Sequence, residues 1–68
     1  MEEFKIMSRL ITSAEYHGNI LFLKTTDGRL YSYNSVPREV FQDFINAKSH
    51  DEFYASRIVP EYSCKRMS

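Results

Sequence analysis

Along the chain, residues 20–26 form a run rich in apolar and β-branched residues. Leu21, Leu23 and Thr25 point one way, and Ile20, Phe22 and Lys24 point the other. A short apolar and β-branched run bounded by turns predicts a strand. Before it, residues 8–16 have strand composition but imperfect alternation. Leu10, Thr12, Ala14 and Tyr16 share one face, and Ile11 breaks the pattern as a β-bulge would. His17-Gly18-Asn19 is a turn between the two strands. After them, Asp27-Gly28 matches the positive φ angles of a two-residue hairpin turn. Residues 29–33 follow as a third strand, with Tyr31 and Tyr33 on the same face.

From residue 37 the period changes. Val40, Phe41, Phe44 and Ile45 recur at helical spacing over residues 37–47, with Arg38, Gln42, Asp43 and Asn46 on the other side. Pro37 suits the first helical position, where a missing N–H costs nothing. Ser49 and Glu52 have the spacing of a capping box, which opens a second helix over residues 50–58 that Pro60 ends. Residues 1–5 read as a frayed lead-in and residues 61–68 as a tail. The prediction is an α+β domain: a three-stranded antiparallel meander followed by two short helices packed on one face. It is a single domain over residues 1–68, with its core at about 6–62 and a basic tail at 63–68.

Composition narrows the function classes. Lys and Arg balance Asp and Glu, giving a net charge of zero. Proteins that grip long nucleic acid are driven by phosphate neutralisation and carry a basic excess, so long DNA is excluded as a partner. One cysteine, Cys64, permits no internal disulfide, and beside it His17 and His50 are too few for a closed zinc site. No apolar run reaches membrane-spanning length, and Glu2-Glu3 has the wrong charge for a signal peptide. A cytoplasmic location is the expectation. A chain of 68 residues builds a small core, and self-association into a homo-oligomer is the expected extra source of stability.

The candidate chemistry is aromatic and cationic. Tyr31 and Tyr33 have two readings: they stack on bases, as aromatics on sheet faces do, or they pack beneath the first helix. Arg57 lies one turn from Tyr54, so a stacking ring and a phosphate-binding fork would share a helix face. Lys65 and Arg66 offer a basic patch near the C-terminus, and Cys64 reads as a spare surface thiol. Ile20 and Phe22, opposite Leu21 and Leu23, are candidate interface residues. No nucleophile–base pair, acid pair or phosphate-cradling glycine loop is present, so the residues predict no catalytic site, no metal and no cofactor.

The ordered set of these residues resembles the KTSC domain family, a small domain found at the C-terminus of some lysyl-tRNA synthetases and alone in bacteria and their phages. The matching positions are Ser8, Ile11, Tyr16, Leu21, Leu23, Gly28, Tyr31-Ser32-Tyr33 and Val36-Pro37. Ala47, Ser49, Phe53-Tyr54, Ile58 and Tyr62 continue the match. Asp51, Ala55 and Val59 stand where such domains commonly have glycine, asparagine and arginine. The resemblance implies the fold, and its synthetase context suggests RNA as a ligand. The expectation is a non-catalytic module that binds a small nucleotide, sequestering a nucleotide signal, or a short RNA element. The alternative is a protein-interaction module, an inhibitor or assembly adaptor, that uses the outer sheet face or edge.

Overall fold

The computed structural model describes residues 2–67 and shows five antiparallel strands where three are predicted. They are β1 (Glu2–Lys5), β2 (Ile11–His17), β3 (Ile20–Thr25), β4 (Leu30–Tyr33) and β5 (Cys64–Arg66), and they lie in the sheet in chain order. The supposed lead-in is therefore an edge strand on β2, and the supposed tail returns to pair with β4. Met1 and Ser68 of those two segments lie outside the described residues. The α+β class stands, with α1 (Arg38–Asn46) and α2 (His50–Phe53) between β4 and β5. The second helix does not stay α-helical. It widens into a π-helical turn (Tyr54–Ile58), where the Val59 N–H bonds the Tyr54 carbonyl at 3.0 Å.

Local chemistry explains each boundary. The expected bulge is present: β2 and β3 slip register between Ile11 and Ser13, so Ile11, Ala14 and Tyr16 all reach the core. Residues 8–10 precede the strand. Gly18 has φ of 66°, as the first central residue of a tight turn requires. The Asp27-Gly28 loop differs from the two-residue turn expected. Thr25 pairs with Arg29 across three residues, and Gly28 alone takes a positive φ, 88°. This is a turn closed by a left-handed glycine. Pro37 precedes α1 as its N-cap. Ser49 caps α2, its hydroxyl accepting the Glu52 N–H at 3.2 Å.

Register divides the sheet into two faces. Phe4, Ala14, Leu23, Tyr31 and Arg66 form one row of the inner face; Tyr16, Leu21, Tyr33 and Cys64 lie in the next. The helices cover this face. Phe41 of α1 stacks on Tyr16 at 4.6 Å between centroids, and Phe44 and Ile58 are fully buried in the same cluster. The Tyr16 hydroxyl donates to the Val36 carbonyl at 2.5 Å, which fixes the link into α1. Among the described residues, no helix is long and apolar enough to cross a membrane.

Candidate functional site

Three tyrosines converge at the β4–β5 end of the inner face. β4 contributes Tyr31 and Tyr33 two residues apart, and the π-helical turn contributes Tyr54. The Tyr33 and Tyr54 hydroxyls are 2.9 Å apart, and their rings meet edge to face at 6.1 Å. Tyr33 is only 2% exposed. Its burial, then the hydrogen bonds to Tyr54 and Cys64, push its pKa far above the usual phenol range. Its hydroxyl therefore stays protonated, a hydrogen-bonding group rather than a base.

Tyr31 and Tyr54 are half-buried and face a cleft of about 310 Å3, completed by Leu10, Thr25, Thr26 and Asp27. The Leu10 wall is tied down from two sides. Asp51 at the start of α2 accepts the Arg9 and Leu10 N–H groups, both at 3.1 Å. Thr26 donates its N–H to the Leu10 carbonyl and its hydroxyl to that of Arg9, both at 3.0 Å. The rim is charged. A hydrogen bond to Tyr31, then the charge of Asp27, raises the pKa of Arg29, whose Nε lies 3.5 Å from the Asp27 carboxylate. Asp27 itself is lowered, chiefly by the Thr25 hydroxyl. Arg66 lies directly across from Tyr31 in the sheet register, on the same face.

Of the residues singled out from the sequence, Tyr31, Tyr33, Tyr54 and Arg66 are brought together. Arg57 is elsewhere. It pairs with Glu61 at 3.3 Å and lies over the Phe53 ring at 5.5 Å. The wider π-helical turn sets Arg57 beside the residue four before it, not beside Tyr54. Lys65 belongs to the outer face, in register with Ser32. Ile20 and Phe22 share that outer face and are half-buried. The sequence reading missed Leu10, Thr25, Thr26, Asp27 and Arg29 as site residues. The one available signal was Arg29, at the same strand parity as Tyr31.

Of the other cavities, one of about 330 Å3 is lined by Ile6, Met7 and Ile11 among others and has no aromatic wall, and one of about 410 Å3 is lined by Ala47, Lys48, Ser49, Glu52, Phe53 and Ser56, with a single ring. Among the described residues, no group of three or more His, Cys, Asp or Glu is placed to hold a metal ion. Among these cavities the tyrosine cleft is the one lined by two aromatic rings, with Arg66 in register beside Tyr31.

The chain was compared with known proteins. The sequence model of the KTSC domain matches residues 7–62. A search of the curated proteins finds no match. Among solved structures, the crystal structure of a KTSC domain protein from Yersinia pestis is similar over 98% of this chain and 97% of that one, with a TM-score of 0.88 and 26% identity.

Proposed function

The chain belongs to the KTSC domain family, and from that premise we propose that it is a non-catalytic module that binds a small nucleotide-type ligand in the tyrosine cleft. One observation carries the reading: Tyr31 and Tyr54 face a single cleft, with Arg66 set across from Tyr31. Aromatic faces stack on any base, and an arginine fork matches phosphate geometry. Thr25, Thr26 and Asp27 supply polar groups for a base edge or sugar.

Size supports a mononucleotide over a strand. At about 310 Å3 the cleft is at the lower end of small-molecule sites, room for one base. The zero net charge points the same way. Binding without turnover is sequestration, which suits a protonated, hydrogen-bonded Tyr33 beneath the site.

The test is calorimetric titration with nucleoside mono- and diphosphates, cyclic nucleotides and short single-stranded RNA. Mononucleotides are expected to bind. Tyr31→Ala is expected to weaken that binding by about 1–3 kcal/mol through lost stacking, and Arg66→Ala by about 1.5–3 kcal/mol through a lost charged hydrogen bond. Arg57→Ala, outside the cleft, is expected to leave it unchanged. No heat with any nucleotide overturns the reading. Binding that survives both cleft variants overturns the assignment of the site.

A further inference from the structure

The sheet has an outer face turned away from the core cluster. The helices cover the inner face, and among the described residues no helix lies on the outer one. Apolar side chains stand on it: Ile20, Phe22 and Leu30 are half-buried there. Met67 follows at the same parity and is 54% exposed, its N–H donating to the Leu30 carbonyl at 2.7 Å. A shallow hollow of about 270 Å3 lies among Glu3, Ser13, Glu15, Phe22, Lys24 and Leu30. Bare apolar sheet alone does not name its occupant; the charges do.

One cross-strand row runs the full width of the face. Register pairs Glu3 with Glu15, Glu15 with Phe22, Phe22 with Ser32, and Ser32 with Lys65. From β1 to β5 the row reads acid, acid, phenylalanine, serine, lysine. It is negative on one side of β3 and positive on the other. A two-fold axis parallel to the strands and passing over β3 lays β1 and β2 of one copy on β5 and β4 of the other. Glu3 and Glu15 then face the other copy's Lys65 and Ser32, while each Phe22 meets its counterpart. A two-fold axis perpendicular to the strands lays β1 on β1, and sets Glu3 and Glu15 against their own copies. Like charges opposed in this way cost several kcal/mol, so the charge pattern selects the first axis.

In the neighbouring row the same axis sets each Lys24 against its counterpart, a like-charge contact at the rim. Lys5, Ser13, Lys24 and Leu30 are in register there. Lys24 is exposed at the end of β3, where a long stem can keep its ammonium in water.

We propose that the chain forms a two-fold symmetric dimer by packing these outer faces, with Phe22 at the centre and Glu3 against Lys65 across the interface. A closed two-fold contact uses the same patch on both copies, and sheets pack face to face about 10 Å apart. The body measures 27 × 24 × 24 Å. Its sheet face then buries on the order of 1,000 Å2 in total, the low end for specific association, and a dimer with so small a contact is sought at micromolar concentration. The inner-face cleft stays open in this dimer, so the proposal is independent of the nucleotide reading.

The experiment is sedimentation across the micromolar range on the parent, Glu3→Lys, Lys65→Glu and the double swap, each checked for folding by circular dichroism. The parent is expected to pass from the 8.1 kDa monomer to twice that mass. Each single reversal is expected to weaken association by at least about tenfold, and the double swap to restore it. Should Glu3→Lys fail to fold, Glu3→Gln replaces it and is expected to weaken association less than a reversal. A parent that stays monomeric overturns the proposal. So do single reversals that change nothing, or a double swap that fails to restore the dimer. Nucleotide titration of the same variants reports on the cleft separately.

Discussion

Both oxygens of the Asp51 carboxylate take backbone N–H groups from the loop before β2, Oδ2 from Arg9 and Oδ1 from Leu10. A single side chain thereby fixes the Leu10 wall of the cleft to the start of α2. Burial alone would raise its pKa. The Ser8 side chain and the two N–H groups outweigh that and hold it below the usual carboxylate range. A carboxyl with a depressed folded pKa contributes stability above its unfolded value, about 3.9. That contribution is lost as the pH falls through the folded value. Amide exchange at Arg9 and Leu10 is therefore expected to accelerate selectively in acid, relative to the intrinsic rate, while the β3 amides hold. Asp51→Asn retains one acceptor oxygen but no charge. It is expected to loosen the loop at neutral pH and to remove the acid dependence. Hydrogen exchange read by NMR checks both, and an unchanged acid response in Asp51→Asn contradicts the role given to the carboxylate.

At the scale of the element, the β3–β4 loop shows how one backbone angle sets a hairpin. Gly28 has φ of 88°, and nothing lies within 4 Å of the place a Cβ would occupy. The cost of Gly28→Ala is thus conformational rather than steric, about 1–2 kcal/mol for a left-handed residue with a side chain. Gly28→Asn is expected to cost less, because asparagine tolerates that region. Urea denaturation of the two variants gives the comparison, and equal costs contradict it.

The three central strands and α1 were legible in the sequence because their signals are local. The apolar, β-branched run of β3, glycine in the turns and helical spacing in α1 need no distant partner. β1 and β5 were not legible. Glu-Glu-Phe-Lys and Cys-Lys-Arg carry charge and little alternation, and they become strands only because β2 and β4 offer them open edges. The candidate site divides along the same line. The Tyr31 and Tyr33 pair was visible as a period of two. Leu10 and Thr26 meet the tyrosines only through folding, and Arg57 was placed by α-helical spacing that the π-helical turn does not follow.

Taken whole, the molecule has little stability to spare. Native domains hold about 0.05–0.15 kcal/mol per residue, or roughly 3–10 kcal/mol for this chain. Phe44 is fully buried in the core. Its ring meets Phe53 at 5.8 Å and His50 at 5.6 Å, so it joins α1 to α2 as well as filling space beneath the sheet. Truncating a buried phenylalanine costs about 3–5 kcal/mol, a sum close to the whole. Phe44→Ala is expected to be substantially unfolded at room temperature, and Phe44→Leu to fold with a lower urea midpoint. A ligand that binds only the native state adds about 2.7 kcal/mol at a hundred times its dissociation constant. α2 carries Asp51 and leads into Tyr54, so the cleft exists only when the Phe44 packing does. A saturating mononucleotide is therefore expected to return Phe44→Ala to the folded signal in circular dichroism, and to leave the Tyr31→Ala, Phe44→Ala double variant unfolded. A Phe44→Ala protein that melts like the parent contradicts the core placement. Equal rescue of the single and double variants contradicts binding at the tyrosine cleft.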